Sequence, residues 1–409
     1  MTVTDKDGLG DYIFYNVNVT TQTWQNSSIF NQEHLCTYGP DYGDYTGPCD
    51  CSVWWHAVGI VIPLKYLDDM NNGKVNPLED ASYVLIGEGE TYNRAQEATD
   101  REPEYVAKVA LTTNSIAVNI RNVPFQPCVF ADDPKKEPVE EDAIIAWTWR
   151  HFIDHPTQGD LPLRNPMTKS VVKVLDMVQE LMWENHSANL GRFCVTGASK
   201  RGWTSWTVAA IDYERVTCTM PVMMDTINLV DVLHNHYRSL GNWTLAFWSY
   251  YQPPFQILGD LDSDGVKQLE GIVDPYSYKE RYGNKLVNYI HMSNDEFFLP
   301  DDTWFYWDGI GSDPEPNFYQ VCVNYGHEWS RSRFEIMQKS IALFYTHMAK
   351  LEQPDVYFKR WGGQTKGKVE IRSNRPFQQT TVYTARSVPG ARDFRRFGLD
   401  LECMKIHEF

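Results

Sequence analysis

The sequence predicts an α/β protein built on a mostly parallel sheet. Three observations carry this: short β-branched runs alternate with longer stretches of helical periodicity, their spacing suits βαβ units, and one strand-like run passes straight into a Gly-x-Ser turn with a helical pattern behind it. The strand-like runs are residues 53–62, 82–86, 115–120, 192–196, 216–222, 285–291 and 318–323. Helical spacing occupies 142–153, with Ile144, Ile145, Trp147, Trp149 and Phe152 as its apolar positions. It also occupies 168–183, where Val171, Val174, Leu175, Val178, Leu181 and Met182 share a face behind a start signal at Pro166 and Thr168.

The remaining segments attach to this frame. Between residues 222 and 285 lies an insertion rich in Trp, Tyr and Pro, too long for a plain crossover. Within it 229–251 reads as helical, and about 225–284 is expected to cap the carboxyl ends of the strands. After residue 350 come short alternating runs (356–358, 368–371, 380–383), the pattern of a small antiparallel β unit. The expected organisation is therefore an N-terminal segment 1–50, a capped α/β domain 51–350, and a C-terminal β unit 351–409.

Composition removes several classes of function. The 409 residues hold 37 Lys and Arg against 54 Asp and Glu, a net charge of -17 that disfavours nucleic acid and anionic lipid surfaces. The 42% hydrophobic and 14% aromatic content is that of a folded chain. The longest apolar run, 53–64, is far short of the roughly 20 residues that span a bilayer. Asn18, Asn26, Asn185 and Asn242 each open an Asn-x-Ser/Thr acceptor sequence. With Cys36, Cys49 and Cys51 close together, they point to a secreted glycoprotein with disulfides. Residues 1–16 hold no apolar leader, so the leader is expected to lie outside this chain. Cys194 and Cys218 sit in apolar runs and read as buried thiols. The segment from Asp260 to Gly265 imitates half of a Ca²⁺ loop, but Gly271 stands where a bidentate Glu belongs, so an acidic turn is expected. No metal or cofactor is expected.

The chemistry is concentrated around Thr196-Gly197-Ala198-Ser199-Lys200-Arg201-Gly202-Trp203. A strand that turns sharply into a helix exposes a serine at the turn and requires small neighbours where chain segments cross. Gly197 meets that demand two residues before Ser199. After the serine the pattern is shifted, with Arg201 at the usual glycine position and Gly202 one later. Downstream, two further strand-like runs end in Asp295 and His327, which completes the chain order Ser, Asp, His of the α/β-hydrolase fold. In this reading His327 takes the proton of Ser199 and Asp295 orients the imidazole. Asp225 and Asp301 are alternative acids, and His291 and His234 alternative bases. The oxyanion hole is assigned to the Lys200 N–H and to the turn at Gly87 and Glu88. Arg201, with Lys200, is a candidate anchor for an acidic substrate group or a partner for carboxylates of the cap.

On these motifs the chain resembles the PhoPQ-activated pathogenicity-related protein family. The resemblance rests on Trp55-His56 with Pro63, on the segment from Pro166 to Ser170, and on the elbow from Thr196 to Trp203. It continues through Asp274-Pro275, Asn294-Asp295-Glu296-Phe297-Phe298-Leu299-Pro300-Asp301 and Arg392-Asp393-Phe394-Arg395. It implies an α/β-hydrolase fold with a C-terminal β unit, a secreted or envelope location, and Ser199, Asp295 and His327 at the triad positions. Two functions are open: a secreted serine hydrolase acting on an ester or peptide bond of a small-molecule or peptide substrate, a carboxylated sugar ester being one option, or a non-catalytic autocrine signal that represses proliferation through a cell-surface receptor.

Overall fold

Nine strands form one sheet in the computed structural model, which describes residues 1–33, 35–37, 46–48, 50–89, 96–310, 317–362, 366–384, 397–400 and 405–408. Cys49 and the Arg392 to Arg395 motif lie outside the described residues. In chain order the strands are β1 (Thr2–Thr4), β2 (Asp11–Thr23), β3 (Val53–Pro63), β4 (Ala81–Ile86), β5 (Ile116–Ile120), β6 (Arg192–Ala198), β7 (Val216–Val222), β8 (Leu286–Met292) and β9 (Asn317–Cys322). Their order across the sheet is β1-β2-β3-β5-β4-β6-β7-β8-β9. The first three strands pair antiparallel, as does β3 with β5; every pair from β5 to β9 is parallel. Strand β4 is where the connections change direction, one going outward to β5 and the next inward to β6. The crevice beside β4 and β6 is the switch point where α/β sheets bind ligands. With the serine elbow after β6, this is the α/β-hydrolase fold.

Helix α1 (Leu64–Asn71) follows β3 directly. Period-2 alternation explains both faces. Val84, Ile86, Val118 and Val195 point into a core with helices α3 (Glu141–Asp154), α4 (Arg164–His186) and α5 (Lys200–Ile211). Their neighbours Tyr83, Leu85, Ala117 and Cys194 point the other way, against α2 (Arg101–Thr113) and α9 (Trp329–Met348). Strands covered on both faces need continuous apolar runs, and β4, β5 and β8 are buried at every position. Strand β2 lies within the stretch read as an N-terminal segment. It buries Tyr12 and Phe14 but exposes the alternate residues further along, and it pairs with β3 through almost its whole length.

The structure departs from expectation in four places. The stretch 229–251 is not one helix: α6 (Leu229–Leu240) ends at Gly241, whose φ of 78° is a left-handed cap that most side chains resist. A short 3₁₀ turn and α7 (Trp248–Tyr251) follow, then α8 (Asp264–Val273). Helix α4 begins at Arg164, ahead of its expected start. Cys194 and Cys218 are not thiols; they face each other in register on β6 and β7 and form a disulfide, with Cα atoms 4.3 Å apart. A second disulfide joins Cys51 to Cys128. Finally, residues 380–383 form no strand; they are exposed throughout and bury no face, while Val356–Gly362 and Gly367–Ser373 pair antiparallel. Among the described residues no helix is long and apolar enough to cross a membrane.

Candidate active site

Strand β6 delivers Ser199 to the turn with φ 55° and ψ -123°, a conformation that costs a non-glycine residue about 1–3 kcal/mol. Backbone hydrogen bonds hold it there, from Ser199 N to Val222 O (2.9 Å) and from Trp203 N to Ser199 O (3.0 Å). The two glycines are steric requirements. A Cβ on Gly197 would lie 2.6 Å from the Arg201 carbonyl oxygen, and one on Gly202 would lie 2.8 Å from both Val222 O and Met224 Cβ. The second crossing in this elbow thus falls at residue 202, which leaves position 201 free for a large side chain.

Asp295 and His327 follow β8 and β9. Nδ1 of His327 lies 2.9 Å and 3.1 Å from the two carboxylate oxygens of Asp295. Asp295 Oδ1 also accepts the backbone N–H groups of Phe297 (2.8 Å) and Phe298 (3.1 Å), so a tight turn fixes the carboxylate. The His327 ring packs on those two phenyl rings, with centroids 4.5 Å and 5.6 Å away. Phe297 and Phe298 in turn line the same cavity as Ser199. The His327 backbone N–H is held by Glu296 Oε2 at 2.9 Å. Its Nε2 is buried and has no hydrogen-bond partner among the described residues, Ser199 Oγ included.

The alternatives sit elsewhere. Asp225 is fully buried, neither of its oxygens has a partner among the described residues, and burial holds its carboxyl well above the usual range. Asp301 is exposed. His291 is a core residue that shares a hydrogen bond with Tyr289 (3.0 Å), and burial draws it down to about 4. His234 pairs with Asp262 at 3.0 Å and Arg150 with Asp260 at 2.7 Å, so carboxylates of the acidic turn are engaged.

For the oxyanion hole, Lys200 opens α5 and its N–H has no intrahelical acceptor. The other two assigned groups are occupied. Gly87 N donates to Ile120 O (2.7 Å) and Glu88 N to Glu102 Oε1 (3.3 Å). A Cβ at Gly87 would meet both Glu102 oxygens at 2.8 Å, so a larger residue there would displace that carboxylate. Burial pushes Glu102 up to about 7. A carboxyl whose folded value lies above its unfolded one binds the extra proton in the folded state, so stability falls as pH rises from about 4.5 to 7. In Glu102→Gln that slope disappears. The variant should therefore melt above the parent at pH 8 but not at pH 5, as differential scanning fluorimetry would register; an unchanged difference between the two pH values would contradict the assignment.

The basic residues after Ser199 pair with α3. Lys200 Nζ reaches Asp142 (2.8 Å), whose other oxygen accepts Tyr250 OH (2.7 Å). Arg201, read as a possible substrate anchor, instead forms a two-pronged pair with Glu141 and donates from Nε to Val123 O. Arg201 is 5% exposed and does not line the cavity beside Ser199. That cavity is walled by Trp149, Trp203 and Phe297, with Leu233, Phe247 and Tyr250 from the insertion, and by Arg164. No sequence motif marks Glu141, Asp142 or Tyr250, and Arg164 stands just ahead of the Pro166 start signal, which points to a helix end and not to a site. The four glycosylation candidates Asn18, Asn26, Asn185 and Asn242 are all exposed.

A family model described as PhoPQ-activated pathogenicity-related protein matches residues 2–395. The chain belongs to this family. As a PhoPQ-related protein it is 29% identical over 332 residues to autocrine proliferation repressor protein A of Dictyostelium discoideum, a match covering 80% of the chain and 63% of that protein. It therefore spans less than two thirds of that relative's length. Among solved structures it is similar to Est1E from Butyrivibrio proteoclasticus (10% identity, TM-score 0.41, 72% of this chain and 96% of the other). It is also similar to a puromycin-hydrolyzing peptidase from Mycobacterium tuberculosis (11%, 0.44, 80% and 41%).

Proposed function

We propose that this PhoPQ-related chain is a secreted serine hydrolase that cleaves an ester or amide bond with Ser199, His327 and Asp295. The observation that carries the reading is the Asp295–His327 pair, fixed by two backbone N–H groups and packed on the phenyl rings that border the Ser199 cavity. Ser199 Oγ attacks the carbonyl carbon while its proton passes to His327 Nε2, and the developing oxyanion faces the Lys200 N–H at the start of α5. Collapse expels the alcohol or amine, which takes that proton from His327. Water then hydrolyses the acyl-serine by the same route in reverse. Exposed acceptor asparagines and two disulfides support a secreted location.

The experiment is labelling with a fluorophosphonate. The parent should be modified at one site and Ser199→Ala not at all, as intact-mass spectrometry would read. A parent that stays unlabelled would sink the hydrolase reading. The second reading, a secreted signal recognised by a cell-surface receptor, rests on the name of the Dictyostelium relative. It would be favoured if Ser199→Ala kept full antiproliferative activity.

A further inference from the structure

Helix α4 opens with a cation that its neighbours do not neutralise. Arg164 is 3% exposed and occupies the first helical position, where the backbone already carries partial positive charge. No acidic residue lies in that first turn. Among the described residues the guanidinium makes one hydrogen bond, from Nη1 to the Lys200 carbonyl at 3.0 Å, and it stacks on Trp203 with Cζ 4.1 Å from the ring centroid. Nε is buried with no partner. The nearby carboxylates are committed, Asp142 to Lys200 and Tyr250, Glu141 to Arg201. Lys200 and Arg201 thus each have a carboxylate partner, and among the described residues Arg164 has none. Burial lowers its pKa to about 10, which still leaves it charged at neutral pH. A buried, unpaired charge is costly to keep, and this one borders the cavity beside Ser199.

We infer that Arg164 binds a carboxylate of the substrate, so that the preferred substrate is an ester or amide whose apolar or aromatic body carries one carboxylate. The Nε and Nη2 edge of a guanidinium presents two parallel N–H donors, the geometry that matches both oxygens of a carboxylate. One carboxylate supplies the partner that Arg164 lacks. The aromatic walls around Arg164 suit the apolar body. The cleavage in this inference rests on the hydrolase reading; the binding does not.

Calorimetry on the whole chain with 3-phenylpropanoate and its neutral isostere 3-phenylpropanamide tests it. The carboxylate should bind at least about tenfold more tightly, as a charge-assisted two-pronged contact implies. That preference should persist in Ser199→Ala, vanish in Arg164→Gln, and survive only in part in Arg164→Lys, which keeps the charge but not the fork. Equal affinity of the two compounds for the parent, failure of both to bind, or a full preference in Arg164→Gln would each overturn the assignment. If Arg164→Gln does not fold, the comparison of parent with Arg164→Lys decides. Because the readout is binding, a chain unreactive towards fluorophosphonate can still show the preference, and a reactive chain can lack it.

Discussion

Asp295→Asn is expected to lower kcat by about four orders of magnitude, the size of effect that follows when an orienting carboxylate becomes an amide in Ser-His-Asp hydrolases. In the parent, Oδ1 accepts two backbone N–H groups and both oxygens face His327 Nδ1. A carboxylate can only accept, so Nδ1 must carry the proton and Nε2 keeps a lone pair for the serine proton. An amide has one accepting oxygen. If it stays with the N–H groups of Phe297 and Phe298, the new NH₂ faces Nδ1 and forces the proton onto Nε2, where it blocks proton transfer. If the amide flips, its NH₂ confronts two backbone donors. The first arrangement keeps two hydrogen bonds and should prevail, so the chain folds with the wrong tautomer. Steady-state kinetics on an activated ester should show the fall in kcat with little change in KM, because the Asp295 side chain does not line the cavity. A loss below about tenfold would remove Asp295 from the mechanism.

The surroundings favour Asp295 over Asp225 for the proposed role. Both follow strands of the parallel block and both are buried. Asp225 has no donor for either oxygen among the described residues, and burial, with the neighbouring Asp302 and Asp295 carboxyls, holds its pKa well above the usual carboxylate range. Asp302, pushed up to about 8 by burial, is held by Asn235 and the Leu299 N–H. Asp295 alone of the three combines backbone donors with an imidazole. A carboxylate in a low-dielectric site is selected by the donors aimed at it.

Much of this arrangement can be read from the sequence. Strands β4, β5 and β8 are legible because burial on both faces demands unbroken apolar runs, and the elbow is legible because a strained serine turn tolerates only glycine where chains cross. Asp295 and His327 are legible from chain order once Ser199 is placed. Helices α2 and α9 are harder to find. In α9 the buried positions Ser332, Ile336, Ser340, Leu343, Phe344 and Met348 recur at helical spacing, but two serines among them and charges between them blur the stripe. The Cys194–Cys218 disulfide depends on the register of two parallel strands, which no local pattern specifies. The charge network is least legible, since Arg201 and Glu141 are sixty residues apart and nothing in either neighbourhood announces the other.

That network gives the largest expected stability effect. Arg201→Met should destabilise the chain by about 2 kcal/mol, between the cost of breaking a buried ion pair and that of losing an exposed one, because the guanidinium is buried while the Glu141 side chain is 30% exposed. Both prongs of the guanidinium bind the Glu141 carboxylate, and Nε satisfies Val123 O in the loop beside it. The Arg201 and Lys200 charges outweigh burial and hold Glu141 down to about 2, so it stays ionised under all ordinary conditions. Methionine fills the same space but withdraws the charge and three donors. Lys200 Nζ, 3.5 Å from Glu141, and Gln126 Nε2, 2.7 Å away, remain and limit the loss. Replacing the partner as well should restore most of the stability, because Arg201→Met with Glu141→Gln leaves no unpaired charge and preserves the Gln126 contact. Urea denaturation of the two single variants and the double variant measures the coupling. If Arg201→Met unfolds within about 1 kcal/mol of the parent, as an exposed ion pair would, the pair does not brace the elbow.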